Sequence, residues 1–519
     1  MMTVKGKERP RVEITPRLGA ITRTRYHYRF PGLSPEVAFR VPDNNLINLE
    51  RAVLERVFYV KNADGTFSAP PKPQPGVFEQ RTAPFLEALK GHLSPTIPIT
   101  HEEFVGLYKD RRKKIYDNAR LSLVEQPLTK KDARCKSFVK ADKMNITEKP
   151  DPAARLIQPR SPRFNIVVGC YLKPIEHRVY RAINKVYGYP TIMKGYNSDQ
   201  TGKVISAKWR SFHKPVGITI DAKRFDQHVH DKALDLAHQV YLHLYKNFVK
   251  ELKELLDYDY TTEGVCYLRE AVLKYWHDAQ RISGSMDTAM GNIIVMTGML
   301  HPYLTAKKIK FQVVNNGDDS TIFVEAKDAH KLDDLQQYFH ELGFTMKIEN
   351  IARELEHVVF CQTRPVLCTH RNQDGKLVDT YRMIRDPHTC LAKDTTCIFS
   401  FESPTSLGKY CTVFGEGGLS LSSGIPILQE FYKMFKRVPC PQRGKVTFET
   451  GMAHNCVDMI SEEREITPQC RYSFWLAFGI LPDEQIAYEN FYRSSNITWD
   501  GLRVSNRQQF PLWPPNVSV

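Results

Sequence analysis

No CxxC pair occurs among the eleven cysteines of this chain, their number is odd, and they are scattered. That pattern speaks against a disulfide framework and fits free thiols in a reducing compartment. Cys361, Cys368 and His370 lie near one another in sequence, but their spacing matches no common zinc finger. Long apolar runs are missing as well. The longest, around residues 293–300, is too short to span a bilayer and is followed by Pro302. The first twenty residues, MMTVKGKERPRVEITPRLGA, have no apolar core, so no signal peptide is expected and the chain reads as soluble by itself. Repeats and low-complexity tracts are absent too.

What is present is an ordinary globular composition, 42% hydrophobic and 25% charged over 519 residues. That length predicts several domains, or one large assembly of subdomains. Base exceeds acid, with 73 Lys and Arg against 58 Asp and Glu, a net charge of +15 and a pI near 9.1. The excess points to a polyanionic partner, without separating nucleic acid from an anionic membrane. Residues 111–163 alone hold 15 Lys and Arg against 6 Asp and Glu, and end in RLIQPRSPRFN. The clustering favours a phosphate-facing wall over a solvated face, and the prolines favour an ordered loop.

Periodicity gives a coarse α+β layout, with helices packed on a small antiparallel sheet. The first ~35 residues read as basic and irregular. Residues 43–58 read as a helix capped by Asp43 or Asn44, 65–76 as a Pro-rich loop, and 101–123 as a helix that is strongly basic in its middle. A buried strand at 217–221 ends in Asp221, and a helical stretch follows over 227–256. A Ser-Gly turn at Ser283 opens another helix. FQVV and STIFVE, at 311–314 and 320–325, form a hairpin around Asn316-Gly317. Residues 328–342 read as an amphipathic helix closed by Gly343. FTMKIE and HVVFCQT follow as strands, and Asp374-Gly375 marks a further hairpin turn. Beyond about residue 390 the pattern is mixed and mostly helical.

Four features carry chemistry. The hairpin turn holds two adjacent carboxylates, Asp318 and Asp319. Turn chemistry explains such a pair blandly, whereas a divalent cation would convert repulsion into a ligand set. DAKRFD places Asp221 at a strand end and Asp226 where a helix begins, with helix capping as the plain alternative for Asp226. Asp221 and Asp318 on adjacent strands can hold two metals for in-line phosphoryl displacement. In SGSMDTAMGN, Ser283-Gly284 makes a flexible turn, and Thr288 and Asn292 share a helix face able to read a sugar hydroxyl. Lys149, Arg155 and Arg160, in the basic segment, can neutralise a triphosphate. Arg111, Arg112, Lys113 and Lys114 form its densest run and read as RNA-binding.

The order of these features, a basic loop, then D-x4-D, then SG-x3-T-x3-N, then GDD, resembles motifs F, A, B and C of viral RNA-dependent RNA polymerases. DAKRFDQHV and SGSMDTAMGN are similar to the tombusvirus-like form and, more distantly, the flavivirus-like one. The resemblance extends over roughly residues 40–400. It implies a right hand: an N-terminal region and fingertips over 1–110 linking fingers to thumb, fingers with the basic motif F over 111–215, and a palm over 216–366. Part of 257–282 would return to the fingers, and a thumb and C-terminal region would cover 367–519. It implies Mg²⁺, or Mn²⁺, on Asp221 and Asp318 with Asp319 beside them, and 2′-hydroxyl recognition by Asp226, Thr288 and Asn292. Ser283 and Gly284 would form a mobile loop near the template. Lys149, Arg155 and Arg160 would face the incoming NTP, Lys347 would protonate the pyrophosphate, and FCQT would grip the priming end. A 3′-hydroxyl would attack the α-phosphorus.

The partners implied are single-stranded RNA template, nascent RNA, NTPs and a viral membrane-bound replication protein. The last would recruit the chain indirectly to host cytoplasmic membranes. Three other readings compete. A reverse transcriptase would need an aromatic gate where Asp226 stands. A non-enzymatic RNA-binding protein leaves the ordered acidic motifs unexplained, and a metal-dependent nuclease has no need of Thr288 and Asn292.

Overall fold

The computed structural model describes residues 3–511, except 7–8, 19–24, 372–373, 375, 399–400, 441–458, 460, 500–503 and 506–509. The chain is α+β. Its centre is a four-stranded antiparallel sheet in the order Phe311–Asn316, Asp319–Glu325, Pro215–Ala222, Met346–Ala352. Alternation along each strand supplies two apolar faces. Ile218, Ile220, Ile322 and Val324 enter a large core with the helices Val77–Gly91, Pro162–Tyr187, Asp231–Leu244 and Thr288–Ala306. Val314, Phe323 and Ala352 enter a second core with Ile205, Val358, Phe360 and Met383. The helix Thr288–Ala306 carries buried side chains all round, as a helix apolar on every face must.

A second sheet joins Arg11–Pro16, Ala271–Asp278, Thr261–Tyr267 and Cys135–Lys136, in that order. Neither the first strand nor the 261–278 hairpin was expected from periodicity. At the other end, Tyr28–Arg29 pairs with Thr396–Cys397, and Phe30 and Leu33 bury themselves among the C-terminal helices. The Tyr492 hydroxyl donates to the Leu33 carbonyl at 2.8 Å, fixing that contact.

A long hairpin, Thr363–Arg371 with Leu377–Arg385, packs on the helix Ser198–Arg210. The approach is so close that a Cβ on Gly202 would lie 2.0 Å from the Tyr381 carbonyl oxygen. Arg382, 1% exposed, donates to both carboxylate oxygens of Asp199 at 2.5 and 2.9 Å and to the Ser423 carbonyl. Of the turn expected at Asp374-Gly375, the hairpin supplies both strands, and Gly375 lies outside the described residues.

Local chemistry explains the other departures from expectation. The helix Leu46–Val53 is capped by Asn45, because Asp43 accepts from the Arg25 amide and Asn44 from the Val139 amide; it then widens into a π-turn, Leu54–Phe58. The helix expected over 101–123 is two, His101–Gly106 and Asp110–Glu125, broken where Tyr108 folds back between Phe104 and Tyr116. The stretch 227–256 is interrupted at Val229-His230 and again after Leu244. The segment 328–342 starts as a 3₁₀ turn and becomes an α-helix over Leu335–Glu341, with Gly343 at φ +85° closing it as expected. HVVFCQT is not a strand. Cys361 and Gln362 take φ +50° and +59° in a tight turn, and the strand begins at Thr363.

Candidate active site

The turn between the hairpin strands is two residues, Gly317-Asp318, because Asn316 pairs with Asp319. Gly317 takes φ +85°, which a glycine at the first central position of a hairpin turn accepts without steric cost. Asn315, not an aspartate, holds the turn together. Its amide donates to the Gly317 carbonyl and to Ser320 Oγ, both at 2.8 Å, and its oxygen accepts from the Gly317 amide at 3.3 Å. The Asp319 carboxylate is therefore not spent on turn chemistry, and that of Asp318 accepts from its own backbone amide alone within the turn.

Asp221 joins them through register. Ile220 pairs with Ser320, so the next residue of the central strand stands beside the hairpin tip. None of the three carboxylates makes a salt bridge among the described residues. Burial, then Asp319, then Asp226 and Asp221 push Asp318 up to about 7. Asp319 is raised by burial and by Asp221, against a bond from the Cys361 thiol. Burial and Asp319 in turn hold that thiol far above its ordinary range, as a neutral donor.

Two residues on the strand Met346–Ala352 face this cluster. Lys347 pairs directly with Asp221 and is exposed. Glu349 sits in a bulge of the same pairing, where Thr219 meets Asn350 and Ile220 meets Ile348. Burial raises its carboxyl first, Asp221 and Asp319 add to the rise, and Lys347 and Lys149 oppose it. Lys149, Glu349, Cys361 and Arg364 also line a cleft of about 620 Å³ that runs toward the C-terminal helices.

Across the site, the Asn292 amide donates to Asp226 at 2.7 Å, and the Ser283 hydroxyl also bonds that carboxyl. Burial raises Asp226 above the ordinary carboxylate range, against these two bonds. Asn292 keeps a buried carbonyl oxygen with no protein partner. Thr288 is placed differently from expectation. It opens the helix, and its hydroxyl donates to the Ile282 and Ser285 carbonyls at 2.9 and 3.0 Å, so it locks the preceding loop rather than joining Asp226. Gly284 lies exposed at φ +104°, and the Gln158 amide grips the Ser283 carbonyl at 2.8 Å.

The basic residues divide. Arg155 is exposed and pairs with Asp142 at 2.5 Å. Arg56 and Arg224 act on one another electrostatically, as do Arg56 and Arg155; burial and this repulsion lower Arg56 to about 10. Lys149 is exposed. Arg160 is not brought to the site. It is 5% exposed, bonds Asp259 at 2.9 Å and the Tyr258 carbonyl, and lies over the Phe164 ring. Arg111, Arg112, Lys113 and Lys114 lie exposed in the first turns of the helix Asp110–Glu125.

Glu349 and Cys361 went unnoticed in sequence. Glu349 had a signal, since it lies two residues from Lys347 on a strand of period two. Cys361 had none, because a remote turn brings it to Asp319.

The chain is similar to known proteins along nearly all of its length. A family profile described as viral RNA dependent RNA polymerase matches residues 13–500. The RNA-directed RNA polymerase of Tobacco necrosis virus (strain D) is 39% identical over 93% of this chain and 66% of its own length. That of Maize chlorotic mottle virus is 38% identical over 92% of this chain and 49% of its own. That of Tobacco necrosis virus (strain A) is 36% identical over 98% and 69% respectively. The chain thus spans about half to two thirds of the length of these curated relatives. With the profile covering nearly all of it, the chain belongs to the viral RNA-dependent RNA polymerase family.

Proposed function

We propose that the chain copies a positive-strand viral RNA genome from NTPs, as an RNA-directed RNA polymerase. The observation that carries this reading is the meeting of Asp221, Asp318 and Asp319 at one sheet end, opposite the Asp226–Asn292 pair. Carboxylates with no salt-bridge partner are the donor type a hard divalent cation takes, Mg²⁺ or Mn²⁺, although the described residues hold no closed group of three such ligands, so the cation would have to draw them together. Bound there, the metal would supply charge neutralisation for phosphoryl transfer.

The chain's own residues do the rest. Asp221 and Asp318 hold the metal, with Asp319 beside them. Asp226 and Asn292 bond the ribose 2′-hydroxyl, for which Asn292 has an unused acceptor. Arg155, and Lys149 beyond it, meet the triphosphate, so Arg155 must leave Asp142 when nucleotide arrives. Lys347, beside Asp221, delivers a proton to the departing pyrophosphate. The rate comes from positioning and electrostatics.

In this reading residues 216–366 are the palm, 111–215 the fingers with the 261–278 hairpin added, and 367–519 the thumb and C-terminal region. Residues 28–33 are the part of the N-terminal region that reaches the thumb. No helix of the described residues is long and apolar enough to cross a membrane. Work on host membranes is therefore assigned to recruitment by a membrane-bound viral protein.

The test is purified protein with RNA template, labelled NTPs and Mg²⁺. Wild type is expected to incorporate nucleotide. Asp318→Ala is expected to lose incorporation while retaining RNA binding by filter assay; near-wild-type synthesis in that variant would remove the metal-site reading.

A further inference from the structure

The loop carrying Ser283 and Gly284 begins at Arg281 and ends at Asp287, and those two residues are an ion pair. Arg281 Nη1 donates to Asp287 Oδ2 at 2.5 Å, with both side chains 98% or more buried. Asp287 stands at the N-cap of the helix Thr288–Ala306, yet its carboxylate makes no cap bond. It is spent instead on Arg281, on the Tyr241 hydroxyl at 3.1 Å and on Ser285 at 2.9 Å. An aspartate at an N-cap normally bonds the helix amides, so this one has been diverted to close the loop.

The pair also reaches the sugar-reading side. A Cβ on Gly291 would lie 2.1 Å from Arg281 Nη2, so the guanidinium rests on the backbone next to Asn292. Arg281 acts electrostatically on Asp226 as well, favouring its ionised form. Two of its nitrogens, Nε and Nη2, have no protein hydrogen-bond partner. A structural arginine of this burial ordinarily satisfies them, since an unpaired buried donor costs stability.

We propose that Arg281 and Asp287 are positioning residues for sugar selection: a buried charge pair that fixes both ends of the Ser283–Gly284 loop and seats Asn292 against Asp226. The idea rests on the reading of Asp226 and Asn292 as the 2′-hydroxyl site. Losing the pair lets the helix start and the loop base shift together. The cost then falls on the ratio of NTP to dNTP use rather than on metal binding. Breaking one partner leaves a buried charge, which destabilises in its own right, whereas replacing both with apolar residues of similar size is often neutral.

The experiment compares wild type, Asp287→Asn, Arg281→Lys, the double variant Arg281→Met/Asp287→Leu, and Asn292→Ala. For each, kcat and KM are measured with GTP and dGTP, alongside the melting temperature. The double variant is expected to melt near wild type, to lose about tenfold or more of the GTP over dGTP preference, and to show most of that loss in GTP KM. Asp287→Asn should move the same way and Arg281→Lys less. Adding Asn292→Ala to the double variant should narrow the ratio little further, because residues acting as a unit are not additive. If the double variant keeps the wild-type ratio while Asn292→Ala narrows it, the pair is packing alone and the proposal falls. If Asn292→Ala leaves the ratio unchanged, the sugar-site reading beneath it falls first.

Discussion

At the scale of single residues, the site carries unrelieved negative charge. Asp318 is held at about 7, mainly by burial and then by Asp319, so in the metal-free protein it takes up a proton that the unfolded chain releases near pH 4. The folded state thus binds more protons between these values, and stability falls as pH rises from about 4 through 7. Asp318→Asn is accordingly expected to raise the melting temperature of metal-free protein at pH 8, by roughly 1–3 °C, with the gain vanishing near pH 4. Mg²⁺ should stabilise wild type more at pH 8 than at pH 6, since the ligand must be deprotonated to bind. Differential scanning fluorimetry across pH, with and without Mg²⁺, checks both; equal Mg²⁺ shifts at the two pH values would contradict the charge cluster. The acidic positions were legible in sequence because adjacent aspartates beside a glycine turn are conspicuous. Arg160 misled, because a basic residue in a basic loop looks alike whether it faces phosphate or is folded under against Asp259.

At the scale of elements, the hairpin tip depends on Asn315. Asn315→Ala removes the turn's internal bonds and is expected to cost about 1–3 kcal/mol of stability. Incorporation should fall at least about tenfold through misplaced aspartates. Chemical denaturation and steady-state kinetics measure the two, and wild-type kinetics would show that the turn holds itself. The exposed run on the helix Asp110–Glu125 makes a separate prediction. Changing Arg111, Arg112, Lys113 and Lys114 to Gln should weaken template binding similarly across sequences and flatten the plot of log K against log salt, by up to about 0.7 for each phosphate no longer neutralised. An unaltered slope would make that run a solvated face. The hairpin 311–325 was readable because strand period, β-branched residues and Asn-Gly agree. The hairpin 261–278 was not: its connection, Leu268-Arg269-Glu270, contains no Gly, Asn, Asp or Pro to announce a turn. The strand read into 357–363 failed for a related reason, since nothing in Cys361-Gln362 signals positive φ.

At the scale of the whole molecule, the net charge of +15 favours polyanions, and no helix of the described residues is long and apolar enough to cross a membrane. Each basic residue near an anionic leaflet adds about 1 kcal/mol, screened by salt. Expressed alone, the chain is expected to stay out of the membrane fraction on flotation at physiological salt and to enter it when the upstream viral protein is co-expressed. Salt-resistant flotation of the lone chain would mean that an amphipathic anchor exists. The overall class was legible because motif order survives where boundaries do not; a link from the N-terminal region to the thumb was expected from the resemblance alone, and the pairing of Tyr28–Arg29 with Thr396–Cys397 was not legible, since two-residue strands leave no periodicity. The seam at Gly202 has a mechanical meaning. Glycine-tight contact, the Arg382–Asp199 fork and a core shared with the underside of the aspartate sheet weld the hairpin 363–385 to that sheet. The hairpin is a bracket of that sheet and not a joint. If the proposed function holds, any widening of the cleft between this sheet and the C-terminal helices is expected to pivot beyond Arg385, because the hairpin moves with the aspartate sheet.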